Sequence, residues 1–343
     1  MKYDVTIGIP VYKSVDYIEQ TIQSALAQTY PNIEYLFLDD WGQDGSMEIV
    51  EKYQTEHPRG EHIRIIKNNQ HQGIGFSRNH LLEEASGQYF FFLDSDDILH
   101  VTAIQRLVEE ITKNEADVAY GSWERVDKIG MTPPVQSVYP YMQFDEKNTL
   151  ALYAFNNYSS FSISACNCLI DMSFLRSAKL HFIDTQFWED MAFTYELVTK
   201  ACKAVLLPDI TYYYICHSDS LSHYQERDMF LKDEIMQNAS VISYLKEKSA
   251  EQTNQSYFPY LNYNLGMNSF YIVCYVLKHR KKIHPKITNK ELQQFTATPI
   301  PLKAVIKSSS KFWRNLLLWL LPKVPNPFFI PIVRTMDKLK GIL

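Results

Sequence analysis

The sequence predicts an α/β protein: a doubly wound, mainly parallel sheet flanked by helices, followed by a helical C-terminal region. Short β-branched or aromatic segments alternate with amphipathic segments over the first 125 residues, and polar clusters come directly after several of the strand-like segments. The chain has 343 residues, of which 46% are hydrophobic. That length and composition fit about two domains and exclude a disordered chain or a fibrous repeat.

The alternation in the first part of the chain is regular. The predicted strands lie at residues 5–9, 33–38, 63–66, 89–93 and 118–122. The predicted helices between them lie at 17–27, 46–54, 75–85 and 102–114, with Ser46 as the N-cap of the second. Helical crossovers make successive strands parallel, so their carboxyl ends meet at one edge, outside which ligands bind.

The pattern changes after residue 124. A loop-rich stretch is followed by a predicted strand at 167–170, a helix at 189–200 and an aromatic strand at 212–215. Residues 221–290 have a helical composition, and prolines separate short amphipathic pieces from residue 299 onward. We therefore expect a ligand-binding domain over residues 1–220 and a helical region over residues 221–343.

Charge is distributed unevenly. The formal net charge is −5, yet residues 271–343 carry fourteen Lys and Arg against two acidic residues. The acidic remainder argues against a nucleic-acid partner. In the tail, Phe312, Trp313 and the apolar run 316–321 alternate with basic side chains, which suits an anionic membrane interface. Packing onto its own domain, or onto the second subunit of a homodimer, is the alternative.

Targeting features point to the cytoplasm. The chain enters a predicted strand almost at once, without the pattern of a secretory signal. Its longest apolar run is far shorter than the roughly 18 residues expected of a transmembrane helix. The five cysteines lack zinc-type pairs. We expect a cytoplasmic protein, with attachment to the inner face of the cell membrane as an extension.

An acidic cluster follows the bulky strand at 89–93. Asp94, Ser95 and Asp96 come first, then Asp97. If the strand alternation continues, Asp94 and Asp96 point to one side. Converging carboxylates repel each other unless a cation joins them, and hard oxygen ligands suit Mg²⁺ or Mn²⁺. A solvated acidic loop that caps the next helix is the alternative.

Two further polar clusters follow the first two strands. Pro10, Val11 and Tyr12 end the first strand, and Asp39 and Asp40 end the second. An ionised Asp can accept hydrogen bonds from a base imide or a ribose hydroxyl. It can equally form an Asx turn.

Three more positions are candidates. Gly73 begins a Gly-x-Gly segment before a helix that carries Arg78, which suits an anion; a surface salt bridge is the alternative for Arg78. Asp190 is a candidate general base or a helix cap. His217 and His223 flank a polar loop, where a histidine binds metal, touches phosphate or does neither.

Taken in order, these motifs resemble inverting, nucleotide-sugar-dependent glycosyltransferases of family 2, which have the GT-A fold. The resemblance covers about residues 3–220. Its motifs are TIGIPVY at 6–12, YI at 17–18, SALAQTY at 24–30, DD at 39–40, GIG at 73–75, RN at 78–79, FLDSDD at 92–97 and ED at 189–190. Small residues usually follow the paired Asp in such families, whereas Trp41, Gly42 and Gln43 stand here.

The resemblance implies roles for the nucleotide site. Pro10, Tyr12 and Asp40 would hold the uracil of a UDP-sugar, and Arg78 would position the nucleotide.

The resemblance also implies the reacting groups. Asp94 and Asp96 would hold the ribose and a Mn²⁺ (or Mg²⁺) ion that bridges the diphosphate. His217 resembles a third ligand to metal or phosphate, and Asp190 would be the general base.

The implied activity is transfer of one hexosyl or N-acetylhexosaminyl unit from a UDP-sugar to a saccharide on a lipid or a protein. The absence of a Gln-x-x-Arg-Trp motif argues against a processive synthase. Two alternatives are a nucleotide-sugar-binding protein that has lost catalysis and a sugar nucleotidyltransferase. The acids needed for catalysis are present, and residues 10–13 lack the glycine of a nucleotidyltransferase loop.

Overall fold

The computed structural model describes residues 3–127, 135–217, 229–307 and 310–339. The chain divides into two compact units. The first comprises Met1–Leu150, Ser162–Asp184 and Glu189–His223, and the second comprises Ala151–Phe161, Thr185–Trp188 and Tyr224–Leu343.

The first unit is built on a sheet to which ten of the described strands belong. The strands are β1 (Tyr3–Val11), β2 (Ile33–Asp39), β3 (Ile63–Lys67), β4 (Gly87–Phe92), β5 (Ile98–Leu99), β6 (Val118–Asp127), β7 (Val135–Ser137), β8 (Met142–Phe144), β9 (Cys168–Asp171) and β10 (Ala204–Cys216). The helices are α1 (Ile18–Leu26), α2 (Ser46–Glu56), α3 (Ile74–Glu84), α4 (Ala103–Lys113), α6 (Met172–Ser177) and α7 (Glu189–Lys200). Helix α5 (Thr149–Asn156) begins in the first unit and ends in the second.

The sheet has the order β3-β2-β1-β4-β9-β6-β10-β5, with β7 paired to β6 and β8 paired to β10. Strands β1 to β4 form one parallel set, and β6 and β10 form another. Strand β9 separates the two sets because it runs antiparallel to both β4 and β6. The predicted α/β sheet with flanking helices is confirmed, and it is mixed because β9, β5, β7 and β8 pair antiparallel to their neighbours.

Bulky side chains explain the central position of β4. Phe90, Phe91 and Phe92 are fully buried, as expected of a strand covered on both faces. Gly8 of β1 lies against the Phe90 ring, which a Cβ atom at that position would strike. Phe182 stacks on Phe193 with ring centroids 4.2 Å apart. Both rings contact Phe92, the last residue of β4, with centroids 5.3 and 6.2 Å away, so the aromatic core extends to the end of that strand.

The start of α2 differs from the sequence prediction. Gly45, with a φ of 94°, precedes the helix, and Ser46 is its first residue instead of its cap. The Ser46 hydroxyl donates to Asp44 Oδ1 at 2.6 Å. Only glycine adopts the left-handed conformation at no steric cost. The N-cap is therefore Gly45, one residue before the predicted cap Ser46.

The second unit is predominantly helical, which confirms the predicted helical C-terminal region. Its helices are α8 (Lys232–Ala250), α9 (Phe258–His279), α10 (Asn289–Phe295), α11 (Leu302–Lys307), α12 (Phe312–Leu320) and α13 (Asn326–Lys338), and its strands are β11 (Phe230–Leu231) and β12 (Ile283–His284). Leu265, Phe270 and Val273 of α9 are fully buried and form its core. None of the described helices is both long and apolar enough to span a bilayer.

Candidate active site

The ends of β1, β2 and β4 place the predicted polar clusters in one region of the sheet. Val11 pairs with Asp39 at the last position of the β1–β2 register, and the backbone amide of Asp40 donates to the carbonyl of Val11 at 3.0 Å. The amide of Leu93 donates to the carbonyl of Gly8 at 3.1 Å, directly before the acidic cluster. The sheet therefore aligns the loops that carry the candidate residues.

Asp40 is buried and holds the segment before α3. Its carboxylate accepts hydrogen bonds from Asn68 Nδ2 at 2.7 Å, the Gln72 amide at 2.9 Å and the Gly73 amide at 3.0 Å. His71 Nδ1 lies 2.8 Å from the same carboxylate. Gly73, with a φ of 89°, precedes α3, so the amide predicted to meet an anion meets the Asp40 carboxylate.

Exposed aromatic rings lie at the ends of β1 and β2. The Tyr12 ring stacks on the His71 ring, with centroids 3.9 Å apart and planes 20° apart. Trp41 is half exposed, and its amide donates to Asp39 Oδ1 at 2.9 Å. Flat rings beside carboxylate oxygens offer stacking and hydrogen bonding to a nucleobase.

The unusual sequence after Asp40 forms a tight turn. Trp41 and Gln43 have positive φ angles of 64° and 54°, which non-glycine residues rarely adopt. A Cβ atom on Gly42 would lie 2.8 Å from the backbone nitrogen of Lys13. The departure from small residues thus gives a strained turn that presents the Trp41 ring to solvent.

The acidic cluster after β4 is a turn, closed by the Asp97 amide, which donates to the Asp94 carbonyl at 3.2 Å. The expected strand alternation of Asp94 and Asp96 fails because β4 already ends at Phe92. Asp97 is buried and accepts hydrogen bonds from Tyr212 Oη at 2.6 Å and the Ile215 amide at 2.8 Å. Asp97 therefore anchors the turn to β10.

Asp96 pairs with His217 at the end of β10. His217 Nε2 lies 2.8 Å from Asp96 Oδ2, and its ring stacks on Tyr17 with centroids 4.0 Å apart. Burial and the nearby charge of Asp94 raise the pKa of Asp96. His217 Nδ1 is buried without a partner in the described part of the chain. Ser95 is half-buried in the turn beside this pair. His223 lies outside the described residues.

The donor set of Asp96 and His217 fits a divalent cation only partly. A carboxylate oxygen and an imidazole nitrogen both suit Mn²⁺. Across the four described stretches of the chain, no three His, Cys, Asp or Glu side chains are grouped to hold a metal. A cation here would need further oxygen ligands, as supplied by phosphate groups or water.

Arg78 is buried, at 3% exposure, and joins α3 to two other elements. Its Nη1 donates to Glu189 Oε1 at 2.6 Å, and its Nη2 donates to Asp94 Oδ1 at 2.8 Å. The two carboxylates raise its pKa well above the ordinary value despite burial. The alternative of a surface salt bridge is wrong, because this ion pair lies among the Phe92 and Phe182 rings.

Glu189 and Asp190 form the first turn of α7. Glu189 is buried, and burial together with the charge of Asp190 raises its pKa to about 8, against the lowering effect of Arg78. Burial also raises the pKa of Asp190, with Arg78 again opposing. A carboxylate with a raised pKa accepts a proton more readily near neutral pH.

Sequence reasoning missed several residues of this site. His71 and Tyr17 both stack on candidate residues, and Glu189 appeared only as part of the ED motif at 189–190. His71 lies two positions before Gly73, and this was the only feature of the sequence that pointed to a role for His71. Nothing local in the sequence marks Tyr17 as the partner of a histidine 200 positions away.

The comparison with protein families decides the class. Residues 6–177 match the model described as glycosyl transferase family 2. The chain belongs to that family. It is a glycosyltransferase, and the resemblance seen in its motifs is confirmed.

Several bacterial glycosyltransferases are similar in sequence. The Escherichia coli enzyme WfaP, a UDP-Glc:alpha-D-GlcNAc-diphosphoundecaprenol beta-1,3-glucosyltransferase, is 27% identical over 69% of this chain and 87% of its own length. The poly(ribitol-phosphate) beta-glucosyltransferase of Bacillus spizizenii is 28% identical over 63% of this chain, and the match spans 32% of the relative. A putative teichuronic acid biosynthesis glycosyltransferase of Bacillus subtilis, TuaG, is 38% identical over 37% of this chain and 49% of its own length.

Solved structures support the fold. Residues 1–349 of S. aureus TarS, determined with UDP-GlcNAc, superpose with a TM-score of 0.70 at 17% identity, covering 98% of this chain and 92% of that one. The same TarS fragment with UDP gives a TM-score of 0.66. The GT-A fold of this family member is thereby confirmed.

Proposed function

We propose that this family 2 glycosyltransferase transfers a single sugar from a UDP-sugar to a saccharide carried on a lipid diphosphate, with inversion at the anomeric carbon. One observation carries the proposal. The exposed Tyr12–His71 stack, the Asp96–His217 pair and the Asp190 carboxyl all belong to the unit built on the sheet. WfaP, whose name specifies a UDP-glucose donor and a diphosphoundecaprenol acceptor, supports the choice of both substrates.

The nucleotide is assigned to the ends of β1 and β2. Tyr12 would stack on the uracil, with His71 backing the ring, while Pro10 and Val11 form the floor from the last positions of β1. Asp39 is half-buried, and one of its oxygens accepts from the Trp41 amide. The other Asp39 oxygen would meet the imide. Asp40 would act indirectly, by holding the segment that carries His71 and Gly73.

Asp96 and His217 would hold a Mn²⁺ or Mg²⁺ ion, together with diphosphate oxygens. When bound, such an ion neutralises negative charge on the departing UDP. Asp94, from the same turn, would contact the ribose and the diphosphate. Arg78 fixes the orientation of the Asp94 carboxylate through the 2.8 Å hydrogen bond.

Asp190 would be the general base. Its carboxylate takes the proton of the acceptor hydroxyl as that oxygen bonds to the anomeric carbon, and the bond from that carbon to the UDP oxygen breaks. Attack opposite the leaving group inverts the anomeric centre. Arg78 and Glu189 hold the first turn of α7, and hence the Asp190 backbone, against the end of β4.

We assign donor binding to residues 1–220 and the acceptor or membrane side to residues 221–343. The lipid-linked acceptor would place the enzyme on the inner face of the cell membrane, in polysaccharide biosynthesis. The names of WfaP and TuaG support this placement. A glycosylated protein is the alternative acceptor.

The test is product analysis with two acceptors. The enzyme is incubated with UDP-glucose and Mn²⁺, and with either a prenyl-diphosphate-linked N-acetylglucosamine or a glycopeptide carrying the same sugar. The proposal expects one added hexose, with inverted configuration, on the lipid-linked acceptor alone. Transfer to the glycopeptide alone would replace the lipid by a protein acceptor, and retention of configuration would exclude direct displacement.

A further inference from the structure

The C-terminal helices of the second unit carry apolar side chains on two faces. In α12, Asn315 and Leu318 face the protein interior. On the same helix, Trp313, Leu317 and Leu320 are exposed, with Trp313 at 72%. Their spacing of four and three positions puts these three residues on one face of the helix. Helix α12 therefore presents an apolar stripe to solvent in addition to the one that packs.

The neighbouring helices repeat the arrangement. Helix α11 buries Ala304 and Val305 and exposes Ile306 at 57%. Helix α13 buries Phe329 and Val333 and exposes apolar residues at a spacing of four. We call the exposed stripe of α12 the apolar face, and it consists of Trp313, Leu317 and Leu320. The flanking helices add the exposed apolar residues Ile306, Phe328 and Ile332.

Positive charge predominates in the segment of the chain that carries the apolar face. The described residues of 302–339 include seven Lys and Arg and one acidic residue, Asp337. Three of the cations lie over aromatic rings: Lys311 and Arg314 at 5.2 and 5.8 Å from the Tyr263 centroid, and Lys323 at 3.2 Å from that of Trp319. A ring holds a cation in place without neutralising its charge, so this segment keeps its net positive charge.

We propose that the apolar face and the exposed cations of the same segment dock the enzyme on an anionic lipid bilayer, an inference that rests on the proposed lipid-linked acceptor. Exposed Trp, Leu and Phe side chains would enter the headgroup and acyl boundary, and Lys and Arg would contact anionic headgroups. The positive charge of this segment favours an anionic bilayer over a second copy of the chain as the partner of the apolar face. A two-fold contact through this face would set the same cations against one another.

The test is vesicle flotation of the full chain. Vesicles of phosphatidylcholine alone are compared with vesicles containing 30% phosphatidylglycerol, a level chosen as roughly that of an anionic bacterial surface. We expect the enzyme to float with the anionic vesicles and to be released by high salt. The double variant Trp313→Ser, Leu317→Ser should lower the bound fraction about tenfold. Tyr271→Ser, which alters an exposed ring of α9, is the matched control and should bind like the wild type.

A second variant separates charge from apolar contact. Lys303→Gln, Lys307→Gln and Arg334→Gln remove three exposed cations and should abolish the preference for anionic vesicles. Equal flotation of the wild type and both variants, or no flotation of any of them, would overturn the inference. So would a wild-type dimer that the double variant converts to a monomer in sedimentation equilibrium.

Activity distinguishes this inference from the proposed function. With a water-soluble acceptor saccharide, the double variant should transfer sugar at the wild-type rate, whereas transfer to the same saccharide on a vesicle-embedded lipid should fall. An enzyme that floats on anionic vesicles but transfers no sugar to either acceptor would refute the proposed function alone. An enzyme that transfers sugar but never floats would refute the docking surface alone.

Discussion

Arg78 donates to Glu189 across 2.6 Å, although the two residues lie 111 positions apart in the chain. The contact ties α3 to the first turn of α7, and the second guanidinium contact, to Asp94, ties both to the acidic turn. One buried cation thus fixes the two regions assigned to the base and to the diphosphate.

Removing the cation should destabilise the protein. In Arg78→Met, the Asp94 carboxylate loses its counter-ion and the buried Glu189 loses its hydrogen-bond donor, and breaking such a buried ion-pair network costs about 3–5 kcal/mol. We expect a loss of that order in the free energy of unfolding, measured by urea denaturation. Arg176→Met, at an exposed position on α6, is the control and should change it by less than about 0.5 kcal/mol. Equal stability of the two variants would contradict the structural role of Arg78.

Glu189 should act as a positioning residue. Glu189→Gln keeps the shape of the side chain but removes the negative charge that the carboxylate carries above its pKa of about 8, so at about pH 9 Arg78 holds the start of α7 less firmly. Kinetics should show kcat reduced about tenfold while KM for the donor stays within about twofold, because the lost interaction serves the transition state. Glu83→Gln, at an exposed site on α3, is the control. An unchanged kcat, or an equal change in KM, would argue against positioning.

Asp190 should be needed for transfer but not for donor binding. Loss of a general base typically costs a factor of about 10² to 10⁴ in rate, and Asp190→Asn should fall in that range. Titration calorimetry should give a UDP affinity within about twofold of the wild type. Asp184→Asn, at an exposed position before α7, should keep full activity. Residual transfer near the wild-type rate in Asp190→Asn would assign the base elsewhere.

The Asp96–His217 pair should govern metal-dependent UDP binding. His217→Ala removes one of the proposed metal ligands and the Tyr17 stacking partner, and we expect UDP affinity in Mn²⁺ to weaken about 10- to 100-fold. In chelator, the variant and the wild type should bind UDP alike. His181→Ala changes an exposed histidine and serves as the control. A uniform loss with and without Mn²⁺ would indicate a contact to the nucleotide in place of the ion.

Lys246 should make stability depend on pH. It is buried in α8, its Nζ donates to the Ala297 carbonyl at 2.8 Å, and burial lowers its pKa from 10.5 to about 7. Between about pH 7 and pH 10 the unfolded chain binds a proton that the folded chain does not, so the free energy of unfolding rises with pH there. Below about pH 7 Lys246 is protonated in both the folded and the unfolded chain, and the stability lost by burying its charge no longer changes with pH.

Replacing Lys246 should remove this dependence. In Lys246→Met, the part of the slope due to this group, at most about 1.4 kcal/mol per pH unit, should disappear between pH 7 and pH 10. Met cannot donate to the Ala297 carbonyl, so the absolute stability shifts as well, and the slope is the quantity to compare. Lys248→Met, exposed on the same helix, should keep the wild-type slope. If the free energy of unfolding changed with pH equally in the wild type and Lys246→Met, the lowered pKa of Lys246 would be refuted.

Much of the first unit could be predicted because its signals are local. Alternating apolar segments specified strands β1 to β4 and helices α1 to α4, and Asp40 and Asp94 stood at strand ends where ligands meet. The short strand β5 was not predicted. The antiparallel direction of β9 was not predictable, since it depends on the path of the intervening chain. The helix N-cap was assigned to Ser46 by residue type, but backbone conformation placed it at Gly45.

The long-range pairs of the site were beyond local reasoning. Tyr17 and His217 come together only because α1 and β10 flank the acidic turn. Arg78 was predicted from the sequence to meet an anion, with a surface salt bridge as the alternative, since nothing near it marks the buried Glu189 as its partner. Asp40 was assigned to uracil, whereas four groups of the 68–73 segment already contact its carboxylate.

The most direct test of the central claim is a UDP-release assay across UDP-glucose, UDP-galactose and their N-acetyl forms, with a lipid-linked saccharide acceptor, in Mn²⁺ and in chelator. The account predicts rapid, acceptor-dependent release of UDP from one of these donors in Mn²⁺ and almost none in chelator or with Asp190→Asn. Nucleotide binding without turnover would indicate a protein that has lost catalysis. Formation of a UDP-sugar from UTP and a sugar phosphate, in place of UDP release, would indicate a nucleotidyltransferase, and either result would contradict the account.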